Sequence, residues 1–577
     1  MTDSLRTARF ATAATALTLA VAMVACGPTT SDTAGTSARP ERPNVLLVMV
    51  DDMGFTDIGS YGSEIETPHI DALAEEGVRF TNFRVSVSCS PTRSMLLSGV
   101  DNHLAGLGTM GEMLQPFHEG QPGYEGYLND RVVSLAEVLR DGGYHTYMAG
   151  KWHLGHGPGR YPANRGFERT LSLLFGGASH WDDMAGLILP ETPAYYTMNE
   201  TRLDSLPADF YSSKNYADFV MESVRENHGD GQPFFAYLSL TAPHDPLHVP
   251  EPWRSKYAGR YDDGYEALKA QRVAGAKRAG VVPESAEVAQ RHPMVRPWDS
   301  LSADERAWET AQMQVYAGMM DNADYHVGRV INFLKDIGEY DNTVVVFLSD
   351  NGPNPWTSDE YPTNSETGFL DQFDNRVENI GHKTSHSAYG MGWATASAGP
   401  LNLFKMSVGE GGIKVPLIIA GPGVTGGGRI STSFSYVTDL MPTLLELTGL
   451  RHPVAGGDAD LLPPTGQSMA GVLAGSTDAV HEPGTLIAGE MFGGRWISDG
   501  THKAVLVVPP YGSDPWELYN VSDDPGEVRD LAQNEPELLQ RLITAWDEYA
   551  ESVGVVFPPP GEDQDVENDF HSLEPQE

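Results

Sequence analysis

Cysteine is scarce in this chain. Its 577 residues hold two, Cys26 and Cys89. Positive charge is short as well, with 38 Lys and Arg against 79 Asp and Glu and a net charge of −41. Phosphate binding needs a basic face, so nucleic acid is excluded as a partner. The acidity reads as a solvated surface and says little about fold. There is no twin arginine, no internal repeat, and no thiol–histidine group with zinc spacing. Glycine and proline, at 61 and 40, are plentiful and predict many elaborate loops.

A long apolar run is missing too. The N-terminal stretch Phe10–Ala25 follows Arg6 and Arg9 and has sixteen residues, where a membrane span requires about 20. It suits a signal-peptide core. The run ends in "MVACG", small residues before Cys26, which resembles a bacterial lipoprotein cleavage box with Met23 in place of Leu or Val. Residues 1–25 are therefore expected to be a signal peptide and 26–42 a lipidated tether; a secretory signal cut elsewhere is the alternative. The protein would be periplasmic or on the cell surface, meeting the membrane only through its lipid anchor. Two cysteines in an exported chain suggest a disulfide, but a lipidated Cys26 cannot pair, so Cys89 must be explained by its own surroundings.

From Pro43 the pattern becomes globular. "NVLLVMV" (Asn44–Val50) reads as a buried parallel strand that runs into "DDMG". His69–Phe80 has helical spacing. Val132–Gly155 reads as helix, glycine turn and strand. "FFAYLSLTAPHDP", "TVVVFLSDNG" (Thr343–Gly352) and "VPLIIAGPG" (Val415–Gly423) repeat the plan of a strand followed by polar residues. Val315–Gly338 is a long amphipathic helix. Such alternation predicts an α/β fold with a large, mixed but mostly parallel sheet flanked by helices. Residues 43–474 form the expected catalytic domain, with 259–304 as a charged insertion. Residues 475–556 read as a small C-terminal domain with a short antiparallel sheet and a helix, and 557–577 as an acidic disordered tail.

Polar residues follow strand ends repeatedly, and ligands of open α/β sheets gather at that edge. Asp51, Asp52, Asp350 and Asn351 are four oxygen donors behind two strands, which favours a hard divalent cation. Cys89 lies in "CSPTRSMLLSG". Pro91 suits a first helical turn, so Cys89 falls at a helix N-terminus where anions are favoured, with Arg93 one turn in. A thiol there is expected to be an acidic nucleophile.

"CSPTRSMLLSG" resembles the sulfatase signature. "PNVLLVMVDDMGFTDIGSYG", "GYHTYMAGKWHLG", "APHDPLHVP", "VVVFLSDNG", "LFKMSVGEGGIKVP" and "WELYNVSDDPGEVRDLA" resemble that family's other motifs in order, over residues 43–555, most closely as in bacterial type I arylsulfatases of the alkaline phosphatase superfamily. The resemblance implies an arylsulfatase that hydrolyses small sulfate esters. It implies that a maturation enzyme converts Cys89 to formylglycine, whose hydrate attacks sulfur and forms a sulfated enzyme. It implies one divalent cation, Ca2+, on Asp51, Asp52, Asp350 and Asn351. Arg93 would steady the hydrate and Lys151 and Lys405 would hold sulfate. His153 would take the proton that releases sulfate, and His244 would protonate the leaving oxygen. Lys151 and His153, one residue apart, would share a face on an extended segment. Lys414 falls outside the pocket.

His103, His156 and His248 read as ordinary loop or core histidines. His382, His386, Tyr389 and Trp393 lie in a Gly- and Ser-rich stretch that either walls the substrate pocket or forms a surface loop. Two alternatives remain beside the arylsulfatase reading: a phosphonate or phosphate ester hydrolase of the same superfamily, and a non-catalytic Ca2+-stabilised surface lipoprotein.

Overall fold

The computed structural model describes residues 42–559, apart from 459 and 514. The expected signal peptide, Cys26 with its tether, and most of the acidic tail lie outside these residues. Among the described residues no helix is long and apolar enough to cross a membrane.

A 10-stranded sheet organises the chain. Its strands are β1 (Asn44–Val50), β2 (Val78–Phe80), β3 (His145–Lys151), β4 (Arg169–Leu173), β5 (Tyr196–Met198), β6 (Thr201–Arg202), β7 (Phe234–Ser239), β8 (Thr343–Ser349), β9 (Leu417–Ala420) and β10 (Arg429–Ser431). The spatial order is β10-β2-β9-β8-β1-β7-β3-β4-β5-β6. β8, β1, β7, β3 and β4 run parallel, with Val50 beside Ser349 and Met49 and Gly150 both beside Ser239. β9 is antiparallel to both its neighbours, and β5 and β6 extend the other edge in antiparallel fashion. The sheet is mixed, as expected. β1 and β8 are buried along their whole length, which explains their unbroken apolar sequence: helices cover both faces of a parallel sheet.

Of the helices, α1 is Pro68–Glu76, α2 Cys89–Ser98, α3 Leu135–Asp141, α4 Ser212–Asn227, α5 Gly264–Arg278 and α6 Ala303–Asp336. α1 is shorter than its apolar spacing suggested, because Gly77 ends it and Val78–Phe80 pairs into the sheet. α6 starts well before the expected Val315. A capping box of Ser302 and Glu305 fixes its N-terminus, and the polar turns that follow add helix without adding core. The segment expected as an insertion contributes α5, whose buried Arg272 pairs with Asp57 and Glu64. Trp298 of the same segment packs edge-on against Tyr265 and Trp393.

The C-terminal part carries the expected antiparallel sheet of β11 (Ile487–Met491), β12 (Gly494–Ser498), β13 (His502–Leu506) and β14 (Trp516–Asn520). The last helix, Pro536–Val553, lays Leu542, Trp546 and Ala550 on this sheet. A buried ionic cluster ties the sheet to the main body: Glu410 meets Arg84 at 2.9 Å and Lys503 of β13 at 3.3 Å, and Lys503 also meets Glu527 at 2.8 Å.

Candidate active site

Four adjacent parallel strands deliver side chains to one edge. β1 runs into Asp51 and Asp52, β8 into Asp350 and Asn351, β3 ends in Lys151, and β7 leads to His244. The chain turns sharply after β1. Asp52 sits in the left-handed region (φ 64) while Met53 N–H donates to Ser349 Oγ at 3.0 Å. Residues held there away from glycine cluster at functional sites. Leu403 (φ 62) and Met406 (φ 68) flank Lys405 in the same way.

Helix α2 is buried along all ten of its residues, with Ser88 as N-cap and Gly99 in the left-handed region at its end. Cys89 therefore opens the helix, as its sequence suggests, with Sγ 3.5 Å from Asp51 Oδ1 and 3.9 Å from Asp52 Oδ1. The expectation of an acidic thiol is not met. Burial pushes the Cys89 thiol well above its ordinary value, and Lys151 and Lys405 offset this only in part.

Arg93 points along the strand ends. Its Nε and Nη2 donate to Asp350 Oδ2 at 2.9 and 2.7 Å, and Nη1 donates to Lys151 O at 3.0 Å and Ser239 Oγ at 2.6 Å. It braces β8, β3 and β7 as well as charging the site. Lys151 Nζ lies 2.7 Å from Asp51 Oδ2, and Lys405 Nζ 2.8 Å from Asp52 Oδ1. Burial opposes the charge on both lysines, yet Asp51 and Asp52 respectively hold them above the usual value. Lys414 is outside the cavity, 3.8 Å from Glu410.

Three carboxylates thus face three bases, all buried. Asp51 is nonetheless raised to about 6, first by burial and then by Asp350. Asn351 Oδ1 is buried with no hydrogen-bond partner, while its Nδ2 donates to Asp52 Oδ1 at 2.7 Å. An orphaned amide oxygen beside crowded carboxylates suits a hard cation, so Asp51, Asp52, Asp350 and Asn351 fit such an ion. Spacing in sequence hid one further feature. Ligand-type atoms of Asp51, Asp52, Cys89 and His244 lie within 4.8 Å of one another, so a thiol and an imidazole do converge here from separate elements.

His244 Nδ1 donates to Asp245 O at 2.7 Å, which leaves Nε2 3.3 Å from Asp52 Oδ2 and 3.4 Å from Lys405 Nζ. His153 departs from the extended geometry expected of it. It follows the end of β3 with φ 56 and turns its Nε2 to Glu112 Oε1 at 2.8 Å, leaving a buried Nδ1 without a partner. Burial holds His153 below its ordinary value, with Glu112 opposing the shift. Burial would raise Glu112, but its contact with His153, a backbone hydrogen bond and the Lys151 charge together hold it down to about 2. Gly176 and Gly177 pass beside both histidines: a Cβ at 176 would come 3.1 Å from His153 Cε1, and one at 177 would come 3.2 Å from His244 Cε1.

Cys89, Glu112, His153, His244 and Lys405 line one narrow cavity, with Met110, Leu187, Ile188, Trp356, Tyr361 and Met406 as its apolar part and Glu191 and Asn354 as further polar walls. The Gly- and Ser-rich stretch does not wall it. His386 packs between Phe369 and Phe373, Tyr389 stacks on Tyr316 at 4.4 Å, Trp393 lies in the core, and His382 is on the surface. His248 bonds Ser385 O at 2.7 Å and His156 packs on Phe175, and neither lines the cavity. Glu112, Glu191 and the apolar walls carry no sequence signal; the paired glycines of "FGGA" are the one local mark of a close approach.

Comparison with known proteins agrees with this geometry. The Sulfatase family model matches residues 43–450. An uncharacterized sulfatase of Schizosaccharomyces pombe is 42% identical over 532 residues, covering 90% of this chain and 96% of its own. The arylsulfatase of Klebsiella aerogenes is 39% identical over 459 residues, covering 79% of this chain and 96% of its own. Among solved structures, Ps i-CgsB superposes with a TM-score of 0.61 at 21% identity, over 88% of this chain and 93% of its own, a likeness of fold. Strand ends, buried charges and homology converge: the chain belongs to the sulfatase family of sulfuric ester hydrolases.

Proposed function

We propose that the protein is an arylsulfatase that acts through a formylglycine made from Cys89 by a maturation enzyme. The observation that carries this reading is the placement of Cys89. Its Sγ opens into a cavity between buried carboxylates and buried lysines, where burial disfavours the thiolate a cysteine nucleophile would need. Conversion to an aldehyde removes that difficulty. A bound formylglycine hydrate and a divalent cation, Ca2+, would supply the attacking hydroxyl and the charge that draws in sulfate.

The chain's own residues do the rest. The bases and carboxylates of the site cancel in formal charge; Asp51, Asp52, Asp350 and Asn351 would hold a cation whose charge makes the site net positive, and Lys151 and Lys405 would bind the incoming sulfate. His244 presents Nε2 to the cavity and can deliver a proton to the leaving oxygen. His153, with Nε2–H tied to Glu112, presents Nδ1 as the site that accepts a proton. Such general acid and base steps contribute typically about 10²–10⁴-fold each. The apolar and aromatic walls of the cavity suit an aryl leaving group, and the relative from Klebsiella aerogenes bears the name arylsulfatase. We place the protein outside the cytoplasm, anchored by lipid on Cys26.

Mass spectrometry of the Cys89 peptide from protein made in its native host tests this directly. An aldehyde in place of CH2SH is expected, together with hydrolysis of p-nitrophenyl sulfate at rates above those for the phosphate or phosphonate analogues. An intact thiol in fully active protein overturns the proposal, and faster phosphonate or phosphate hydrolysis reassigns the substrate.

A further inference from the structure

One polar group of the cavity has no part in the chemistry above. Glu191 closes the short turn Leu189–Glu191 and lines the cavity alongside Leu187 and Ile188 of the same loop. It is 5% exposed, and its Oε2 is buried without a hydrogen-bond partner. A buried oxygen is ordinarily hydrogen-bonded to protein, water or ligand, and this one borders the cavity where a substrate would lie. Burial first, and the neighbouring Glu112 charge second, raise this carboxyl to about 8, so it waits as a neutral acid at neutral pH. Trp356 and Tyr361, in edge-to-face contact at 5.2 Å, line the same cavity.

We propose that Glu191 is a specificity residue of the sulfate-ester site assigned above, selecting esters whose organic part carries a protonated amine. The inference rests on that assignment and refines it. An anionic substituent would meet the Glu112 charge and gain no more than the Glu191 O–H as a donor. A hydroxyl would gain one ordinary hydrogen bond. An ammonium satisfies the orphaned oxygen, favours ionisation of the acid, and forms a charge-assisted hydrogen bond away from water, which is the stronger class. Its CH2 stem and charge also suit aromatic walls. The preference would be for a cation on the organic side, opposite in sign to the ester group held by Lys151 and Lys405.

The test compares kcat/KM of the matured holoenzyme on 4-(aminomethyl)phenyl sulfate and 4-methylphenyl sulfate at pH 7. The wild type should prefer the amine by about tenfold or more, one charge-assisted contact's worth. In Glu191→Gln that ratio should fall to within about twofold of unity. A wild-type ratio below about threefold, or a ratio that survives the substitution, overturns the inference. Should the variant not fold, inhibition of the wild type decides: 4-(aminomethyl)phenol must bind about tenfold tighter than 4-methylphenol, and equal binding counts against. Failure to hydrolyse either ester defeats the sulfatase assignment itself, whereas equal hydrolysis of both defeats only the role of Glu191.

Discussion

Glu112 Oε1 lies 2.8 Å from His153 Nε2 inside the cavity that Cys89 opens into. The pair fixes which ring nitrogen bears the proton, as a carboxylate does for a base it orients. Glu112→Gln keeps the shape but lets the ring rotate or change tautomer. Steady-state kinetics on p-nitrophenyl sulfate should show kcat reduced by about 10²-fold with KM little changed. A variant altered only in KM, or in Tm alone, would assign Glu112 a binding or packing role instead.

Cys89→Ala should fold normally and lose turnover. The side chain is buried, but Ala is smaller by one sulfur, so the cost in stability is about 1–2 kcal/mol. Circular dichroism and thermal melts check the fold, and sulfate release checks the activity. Residual activity comparable to the wild type would exclude residue 89 from the reaction.

Chelation should abolish turnover and lower Tm, because Asp51, Asp52 and Asp350 would then crowd one buried space with only their three bases for compensation. Saturating Ca2+ at about 100 times its Kd should restore about 2.7 kcal/mol of stability. Metal analysis of purified protein should find calcium. Zinc in its place would point to Cys89 and His244, whose ligand atoms also converge on Asp51 and Asp52.

His103 gives a pH dependence remote from the metal ligands. It bridges Asp101 and Glu490, each at 3.1 Å. Burial disfavours its charge, but the two hydrogen-bonded carboxylates win and raise it to about 9 from an ordinary 6.5. Around it, His118 is held down to about 4, by burial and by the His103 charge, while Tyr124 is pushed up. A raised folded value means that the stabilisation is complete below pH 6.5 and is lost as pH climbs through 9. The full effect is about 3 kcal/mol. Melting temperatures from pH 6 to 10 should fall in the wild type across this window and fall less in His103→Gln.

The proposed anchor is tested on the chain's other cysteine. Cys26→Ala expressed in the native host should move the protein from the membrane fraction to the soluble one. Unchanged fractionation would mean that residue 26 carries no lipid.

The strands and their order along the sequence were legible because buried parallel strands write themselves as unbroken β-branched runs, as in Asn44–Val50 and Thr343–Ser349. The polar residues behind them were legible for the same reason: they follow the runs directly. What was not legible comes from loops. Glu112 and Glu191 sit in short turns with no periodicity, and tertiary packing brings them to the cavity: Gly176 lies beside Glu112, and Gly177 beside Leu187 of the loop that carries Glu191. The histidines and aromatics around Ser385 misled for the converse reason. Loop composition suggested solvent or substrate, whereas His386, Tyr389 and Trp393 each found aromatic partners and went inside. The twist of His153 out of strand geometry needed its left-handed backbone to be seen.

The salt cluster that joins Glu410 to Arg84, Lys503 and Glu527 reaches further than its position suggests. Glu410 is five residues beyond Lys405, on the same run of chain, and its far partners belong to the last hundred residues. Trimming the protein back to the family-matched portion, 43–450, would take Lys503, one of three cations around the buried Glu410, and leave Arg84 and Lys414. The terminal module is therefore a keystone for the stretch of chain that carries Lys405, and shortened versions should lose activity together with stability.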